Sequence, residues 1–533
     1  MKQEYGFSTT KISILSYRFL PHILSGIYFF ILLHISLTYH EVGDYGLETD
    51  FYMRYVPNAA SFLTGSITID GFQGPLYPII LGSVKAIIGD YVKAGQIINC
   101  LSISLFLLSI TLILKKIFTV EIALAAFLIT AANKHIIQNT YSCGTDMLFL
   151  GLLGGMIYFL LRSKNHNWLD VILTGVFAGL SFLTRFNGLF MLLGIIFTYT
   201  IINTYNIDWK KRIISSLTVI ALFFGIYTPY GLHTLSEKDS FLFNTNYKNV
   251  AWTYQAEGVV SWDEFWHEDW CGKNNINGIS DVVFYDFGGF VSKYTNTLLT
   301  NIKEDFDQLI GWPIGILSFI GLLSYILYFP IKGDRRELSF VAISLIFWGV
   351  LGLVFYNPRF SMFLIPFYVA IGLRIFILTK LNSKTPFLHY IPLGLSIIFF
   401  FTSVSEAKEY NKELISSGPQ EMLKIQKWFE RNQPKPNPED GIFARKPHVA
   451  YYTGLKFQMF PVVTSWEDFL NQIKEKNVKY IYYSYFEYSN RPQLRVLTEP
   501  KKVPPVLKLI HVQAIPGNSK QIPGFLYKVN LED

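Results

Sequence analysis

Apolar residues return along this chain in runs of roughly 16 to 25, and a run of that length covers the ~30 Å hydrocarbon layer of a bilayer at 1.5 Å per residue. Eleven such segments are read, near residues 19–39, 94–114, 117–132, 146–161, 168–183, 187–205, 213–232, 309–329, 338–356, 360–379 and 387–403. Composition agrees: only 16% of the 533 residues are charged and 51% are hydrophobic, where a soluble chain carries about a quarter charged. A polytopic, α-helical membrane protein is therefore expected. The first run is preceded by Lys2, Lys11 and Arg18 and is followed by no small-residue cleavage site, so it reads as a retained span.

Basic residues set the expected orientation, because short cytoplasmic loops hold the positive charge. Lys115/Lys116, Arg162/Lys164, Lys210/Lys211/Arg212, Lys332/Arg335/Arg336 and Lys380/Lys384 fall on the side of the N-terminus, whereas the opposite short loops hold little beyond Lys134, Arg185 and Arg359. This places the N-terminus in the cytoplasm and the C-terminus outside. It also classifies residues 75–90, apolar but short and carrying Lys85: were they a span, every later basic loop would fall outside. They are read as a re-entrant or interfacial helix. Nucleic acid is not an expected partner, since the excess of +7 lies between apolar runs and forms no patch. Cys100, Cys143 and Cys271 form no CxxC pair and no zinc-type spacing.

Three parts lie outside the bilayer on this reading: 40–93, 233–308 and everything after about 404. Residues 1–403 form the membrane domain. Residues 404–533 form a small α/β domain, with a linker-like 433–438 (QPKPNP), a helix over 465–477 and β-type runs at 478–486, 505–514 and 525–530.

The first external loop puts Glu41, Asp44, Glu48 and Asp50 within ten residues, just beyond a span. A partly desolvated carboxylate there can accept a proton from an alcohol or amine, or hold a cation; a solvated loop rim is the plain alternative. Asp146 opens the segment 146–161 on the same face, where an acid also suits a helix start. Arg185 and Arg359 share that face and break the charge rule, which asks for an anionic partner such as a lipid phosphate unless they merely snorkel. In the loop 252–270, Trp262 and Trp266 lie among acids. Tryptophans form interfacial belts, and their faces also stack on sugar rings. Asp263 and His267 are spaced i, i+4, which is weak support for a metal site, and His135 reads as interfacial.

This layout resembles the GT-C glycosyltransferases, in particular the bacterial protein O-mannosyltransferase-like and aminoarabinose-transferase-like branch. Glu48-Thr-Asp50 resembles that family's acidic loop motif, and Gly74-Pro75-Leu76-Tyr77-Pro78 its proline motif. Asp146 takes the place of a second family carboxylate, and Arg185 and Arg359 sit in similar Thr-Arg-Phe-Asn-Gly and Pro-Arg-Phe contexts. Residues 444–454 (ARKPHVAYYTG) look like the family's external domain. Gln73-Gly74 stands where some members have His-Lys or His-Pro, and Lys85 is a weak substitute for that donor-phosphate contact. The resemblance implies an inverting transferase of a bacterial-type cytoplasmic membrane, working on its outer face with a polyprenyl-phosphate sugar and a lipid, glycan or protein acceptor. It implies Asp50 as base, with Asp146 and Glu48 beside it, and Arg185 and Arg359 on the donor phosphate; Tyr52, Tyr55, Trp262 and Trp266 are read as substrate-binding residues. A divalent cation stays open, since Glu48 and Asp50 can bind one although the nearest relatives do not require it. The rival class, a transporter or flippase of lipid-linked saccharides, predicts polar residues near the bilayer midplane and related halves of the chain.

Overall fold

A computed structural model describes residues 11–267, 269–332, 334–382, 391–437, 439–463, 465–514 and 522–530. The expectations resting on Lys2, Lys384, the side chains of Lys11, Arg18, Lys332, Lys380, Asp263 and His267, and the segment near 387–390 lie outside the described residues.

Each of the eleven apolar runs is mainly helical over its described residues, and the chain is a multi-pass membrane protein with a small sheet domain at its C-terminal end. Helical length sharpens the count. Among the described residues, Phe19–Tyr39, Tyr91–Ile117, Trp209–Lys238, Pro358–Phe376 and Ile391–Asn432 are long and apolar enough to cross a bilayer unaided. The run read at 117–132 is instead a helix Val120–Ala131 followed, after a 58° bend, by Lys134–Tyr141. Asn133 makes the break: its side chain accepts from the backbone N–H of His135 and Ile136 and starts the second helix. Thr145–Leu161, Trp168–Thr184 and Trp312–Leu327 are shorter apolar helices, and the run read at 338–356 ends its helix at Leu351. Leu76–Ile88 has 13 residues, about 20 Å of helix and too short to cross.

The bundle has two polar rims. Helix Thr145–Leu161 starts beside Asp146 and ends at Arg162, and helix Trp168–Thr184 starts with Asp170 in its first turn and ends at Arg185. Arg162 pairs with Asp170 at 2.5 Å, Lys116 donates to the carbonyl of Arg162 at 2.9 Å, and Arg336 donates to the carbonyl of Lys116. Three basic loops thus meet at one rim, while Asp146 meets Arg185 at the other, about 25 Å away along the 17-residue helices. Between the rims lies one apolar core with Phe106, Met147, Ile157, Phe182 and Phe223 at its centre.

The last apolar helix runs past 403 to Ser417, and helix Glu421–Asn432 leads into the C-terminal domain. There strands β1 (Gly441–Ala444), β2 (Lys456–Met459), β3 (Val478–Tyr483), β4 (Leu507–Gln513) and β5 (Gly524–Val529) form one sheet in the order β2-β1-β3-β5-β4. β1 runs parallel to β2 and β3, and β5 is antiparallel to β3 and β4. Helices cover both faces, which is why the central strands are apolar on both sides. Phe443, Phe460 and Phe469 pack on one face and Met422, Ile425, Phe429 and Leu526 on the other.

One glycine locks the proline motif to the bundle. A Cβ on Gly74 would lie 2.0 Å from the carbonyl oxygen of Leu183, against the last turn before Arg185, so only glycine lets the two backbones approach. Gly74→Ala is expected to lower the unfolding temperature of the detergent-solubilised protein by several degrees, on the overpacking scale of about 1–3 kcal/mol. Unchanged thermal unfolding would show that the two segments are not in contact.

Candidate active site

Arg185 is presented by a break between helices. It is extended (φ −143°, ψ 130°) at the end of Trp168–Thr184, and a tight turn follows in which Gly188 N–H donates to its carbonyl at 2.9 Å. Its guanidinium donates to the Asp146 carboxylate and, at 3.2 Å, to Thr145 Oγ1. Buried Tyr55 stands in the field of Asp50, Arg185 and Asp146, and burial raises its pKa. Tyr55 therefore links the acidic loop to the Asp146–Arg185 pair.

Arg359 arrives from another break. Asn357 caps the short helix Pro358–Ser361 by accepting from Arg359 N–H at 3.1 Å. The next residue, Phe360, carries both arginines: Arg185 lies 5.6 Å and Arg359 5.0 Å from its ring centroid. Arg359 Nε is buried with no hydrogen-bond partner among the described residues, so a donor faces inward ready for an anion.

Asp50 opens the turn Phe51–Tyr55. Its side chain is 47% exposed, and Arg54 Nε approaches it at 3.6 Å. Arg54 also donates to Asp70 at 3.2 Å and lies 4.5 Å over Phe72. Phe72 meets Trp266 at 5.9 Å, and Trp266 meets Trp262 at 5.4 Å. One aromatic ring and one guanidinium thus separate the tryptophans from Asp50.

Three sequence candidates stand apart from this cluster. Glu48 is fully buried and 2.8 Å from His40 Nε2. Burial pushes its pKa up while His40 pulls it down, and the pair fastens the two ends of the acidic loop. Its place is structural, since burial on all sides leaves no face for a substrate. Tyr52 is buried beneath the C-terminal domain, between the rings of His448 at 4.6 Å and Tyr451 at 4.7 Å. Lys85 sits near the far end of helix Leu76–Ile88 with its ammonium 5.1 Å over Tyr91, about 16 Å along that helix from Gly74.

The structure also supplies residues that sequence reasoning passed over. Asp305 accepts from Tyr368 at 2.8 Å and Tyr356 at 3.1 Å, holding residues on both sides of the Arg359 segment. Burial raises its pKa to about 6, against hydrogen bonds that lower it. Its only sequence signal was an acid just before an apolar run. His40 was legible only as an isolated residue, and Lys446 and His448 only as members of the stretch 444–454, with no role of their own.

Comparisons with known proteins bear on the fold. The dolichyl-phosphate-mannose-protein mannosyltransferase family matches residues 73–230, the stretch from the proline motif through Asp146 and Arg185. No curated protein matches the chain by sequence. ArnT from Cupriavidus metallidurans, solved bound to undecaprenyl phosphate, is similar in structure with a TM-score of 0.56 at 12% identity, over 96% of this chain and 98% of that one. The archaeal oligosaccharyltransferase AglB from Archaeoglobus fulgidus, solved with an inhibitory peptide and a dolichol-phosphate, gives a TM-score of 0.58 at 13% identity, over 87% of this chain and 70% of that one. The chain has the GT-C fold.

The raised pKa of Asp305 fixes a sign. Its native value of about 6 lies above the ordinary 3.8, so its contribution is fully present below pH 4 and is lost as pH rises through 6, about 3 kcal/mol in all. Thermal unfolding between pH 4 and 8 should show the parent losing stability over that window relative to Asp305→Asn. Parallel curves would contradict the buried, ionisable assignment.

Proposed function

We propose that this chain is an integral-membrane, inverting glycosyltransferase. It moves a sugar from a polyprenyl-phosphate donor to a lipid, glycan or protein acceptor on the outer face of a bacterial-type cytoplasmic membrane. The observation that carries the reading is the gathering at one rim of a solvent-facing carboxylate, Asp50, with two guanidiniums that share Phe360. The GT-C fold and the lipid phosphates bound by the two similar proteins support it.

The chemistry is set by the donor. The acceptor oxygen or nitrogen attacks the anomeric carbon while the bond from that carbon to the phosphate oxygen breaks, which inverts the centre. Asp50 takes the acceptor's proton. Arg185 and Arg359 neutralise the charge that develops on the departing phosphate, with Asp146 holding Arg185 in line. The arrangement of acids and arginines at a rim, rather than at the midplane, favours a transferase over a transporter.

The decisive measurement is donor turnover in lipid nanodiscs with a panel of polyprenyl-phosphate sugars, scoring free polyprenyl phosphate. General-base assistance is worth about 10² to 10⁴ in rate, so Asp50→Asn should lose at least the lower figure while unfolding at the parent's temperature. Equal turnover in the two proteins would remove Asp50 from the mechanism. No release from any donor would move the reading to a transporter, or to an enzyme that will not act without its acceptor.

A further inference from the structure

The external domain reaches into the acidic loop through one turn, residues 445–447, between β1 and helix His448–Thr453. That turn is held from both sides. Behind it, Arg445 N–H donates to the buried carboxylate of Glu487 at 2.7 Å, and Glu487 is itself held by Ser484 N–H at 2.8 Å. Ahead of it, fully buried His448 lies against Tyr45 at 5.0 Å and Tyr52 at 4.6 Å, with its Nε2 3.2 Å from the carbonyl oxygen of Asp44. With both neighbours fixed, Lys446 extends toward the acidic loop. Its ammonium donates to Thr49 Oγ1 at 3.3 Å, and that hydroxyl donates onward to the Tyr45 carbonyl at 2.5 Å.

The environment of Lys446 is unlike that of a surface lysine. It is half-buried, and Asp50 and Asp44 are the acids that act on it, opposing the burial and the Arg445 charge that push its pKa down. A desolvated ammonium with rotamer-rich methylenes is costly to hold unless its charge is answered. Here the answering charges are the acidic loop's own. Further contacts set the docking: Tyr45 donates to Glu421, and Tyr52 and Tyr452 hydroxyls meet at 3.0 Å.

The geometry points to Lys446 as a positioning residue of the transfer site, through which the external domain holds the Thr49–Asp50 step of the acidic loop in the arrangement that proton abstraction needs. The inference rests on the proposed transferase reading. Lys446 acts through the loop, whereas the cations assigned to the donor phosphate, Arg185 and Arg359, come from the bundle. Removing the lysine should therefore slow the chemical step and leave donor binding alone.

The test uses the full chain in nanodiscs with Lys446→Met and Lys446→Arg. Since a misplacement of about 1 Å can cost roughly 10²-fold in rate, Lys446→Met should lower kcat by about 10- to 100-fold with donor KM unchanged, and Lys446→Arg should restore most of it. Hydrogen–deuterium exchange over residues 44–55, which needs no turnover, should quicken in the Met variant and not in the Arg variant. Parent-like kcat and exchange in Lys446→Met would overturn the proposal. So would a rise in donor KM at constant kcat, which would make Lys446 a donor-binding group, or an equal fall in unfolding temperature for both variants, which would make it merely structural. If the parent turns over no polyprenyl-phosphate sugar, the transferase reading fails separately, and the exchange measurement still decides whether Lys446 holds the loop.

Discussion

Hydrocarbon offers no hydrogen-bond partner, so a chain that crosses it must satisfy its backbone within helices and keep its charges for the helix ends. The ion pair of Arg185 and Asp146 is the direct product of that constraint. One residue ends a helix and the other begins the helix beside it, at the point where N–H and C=O groups are left without intrahelical partners. Around that pair Thr145, Tyr55 and Phe360 find their places, and the second arginine is drawn to the same ring. The opposite rim obeys the same constraint with the opposite composition, Lys116, Arg162 and Arg336 clustering around Asp170 and backbone carbonyls.

Once the charges are confined to rims, the acidic loop becomes the element most in need of support. It enters from one helix and is closed on itself by the buried contact of His40 with Glu48. Arg54 and Asp70 brace one side of Asp50, and the C-terminal domain covers the other through Tyr52, His448 and Lys446. Buried aromatic rings dominate that covering surface, which gives the two domains a fixed register rather than a loose tether. The proline motif completes the frame, its Gly74 pressed on the Leu183 carbonyl and the nearby Gly71 carbonyl accepting from Thr245 in the segment that follows helix Trp209–Lys238.

Much of this was legible in order along the chain. Hydrophobic run length located the helices, because 1.5 Å of rise per residue leaves little freedom in how a bilayer is crossed. Enrichment in β-branched and aromatic residues likewise marked β3, β4 and β5, each of which overlaps a run read from the sequence. The short β1 and β2, four residues each, carried too little pattern to stand out. Asp50 was singled out within the acidic loop, and Asp146, Arg185 and Arg359 as charges at the ends of apolar runs; the fold gathers them around Tyr55 and Phe360.

Partnership, by contrast, was decided only in three dimensions. Glu48 and Asp50 are close in sequence and chemically alike, yet one is sealed against His40 and the other opens to solvent. Nothing local distinguishes them, since burial depends on which distant segment packs over each. Asp305 and Lys446 lie more than 250 and 390 residues from Asp50 along the chain, and their roles arise from Tyr356 and Tyr368 in one case and Thr49 in the other. The sequence by itself determined a helical membrane chain with charges at the ends of its apolar runs, because apolar run length and charge placement answer directly to the bilayer. Which of the rim's charges are structural and which are free for chemistry was left to the tertiary structure, because desolvation and pairing are properties of contacts between segments far apart.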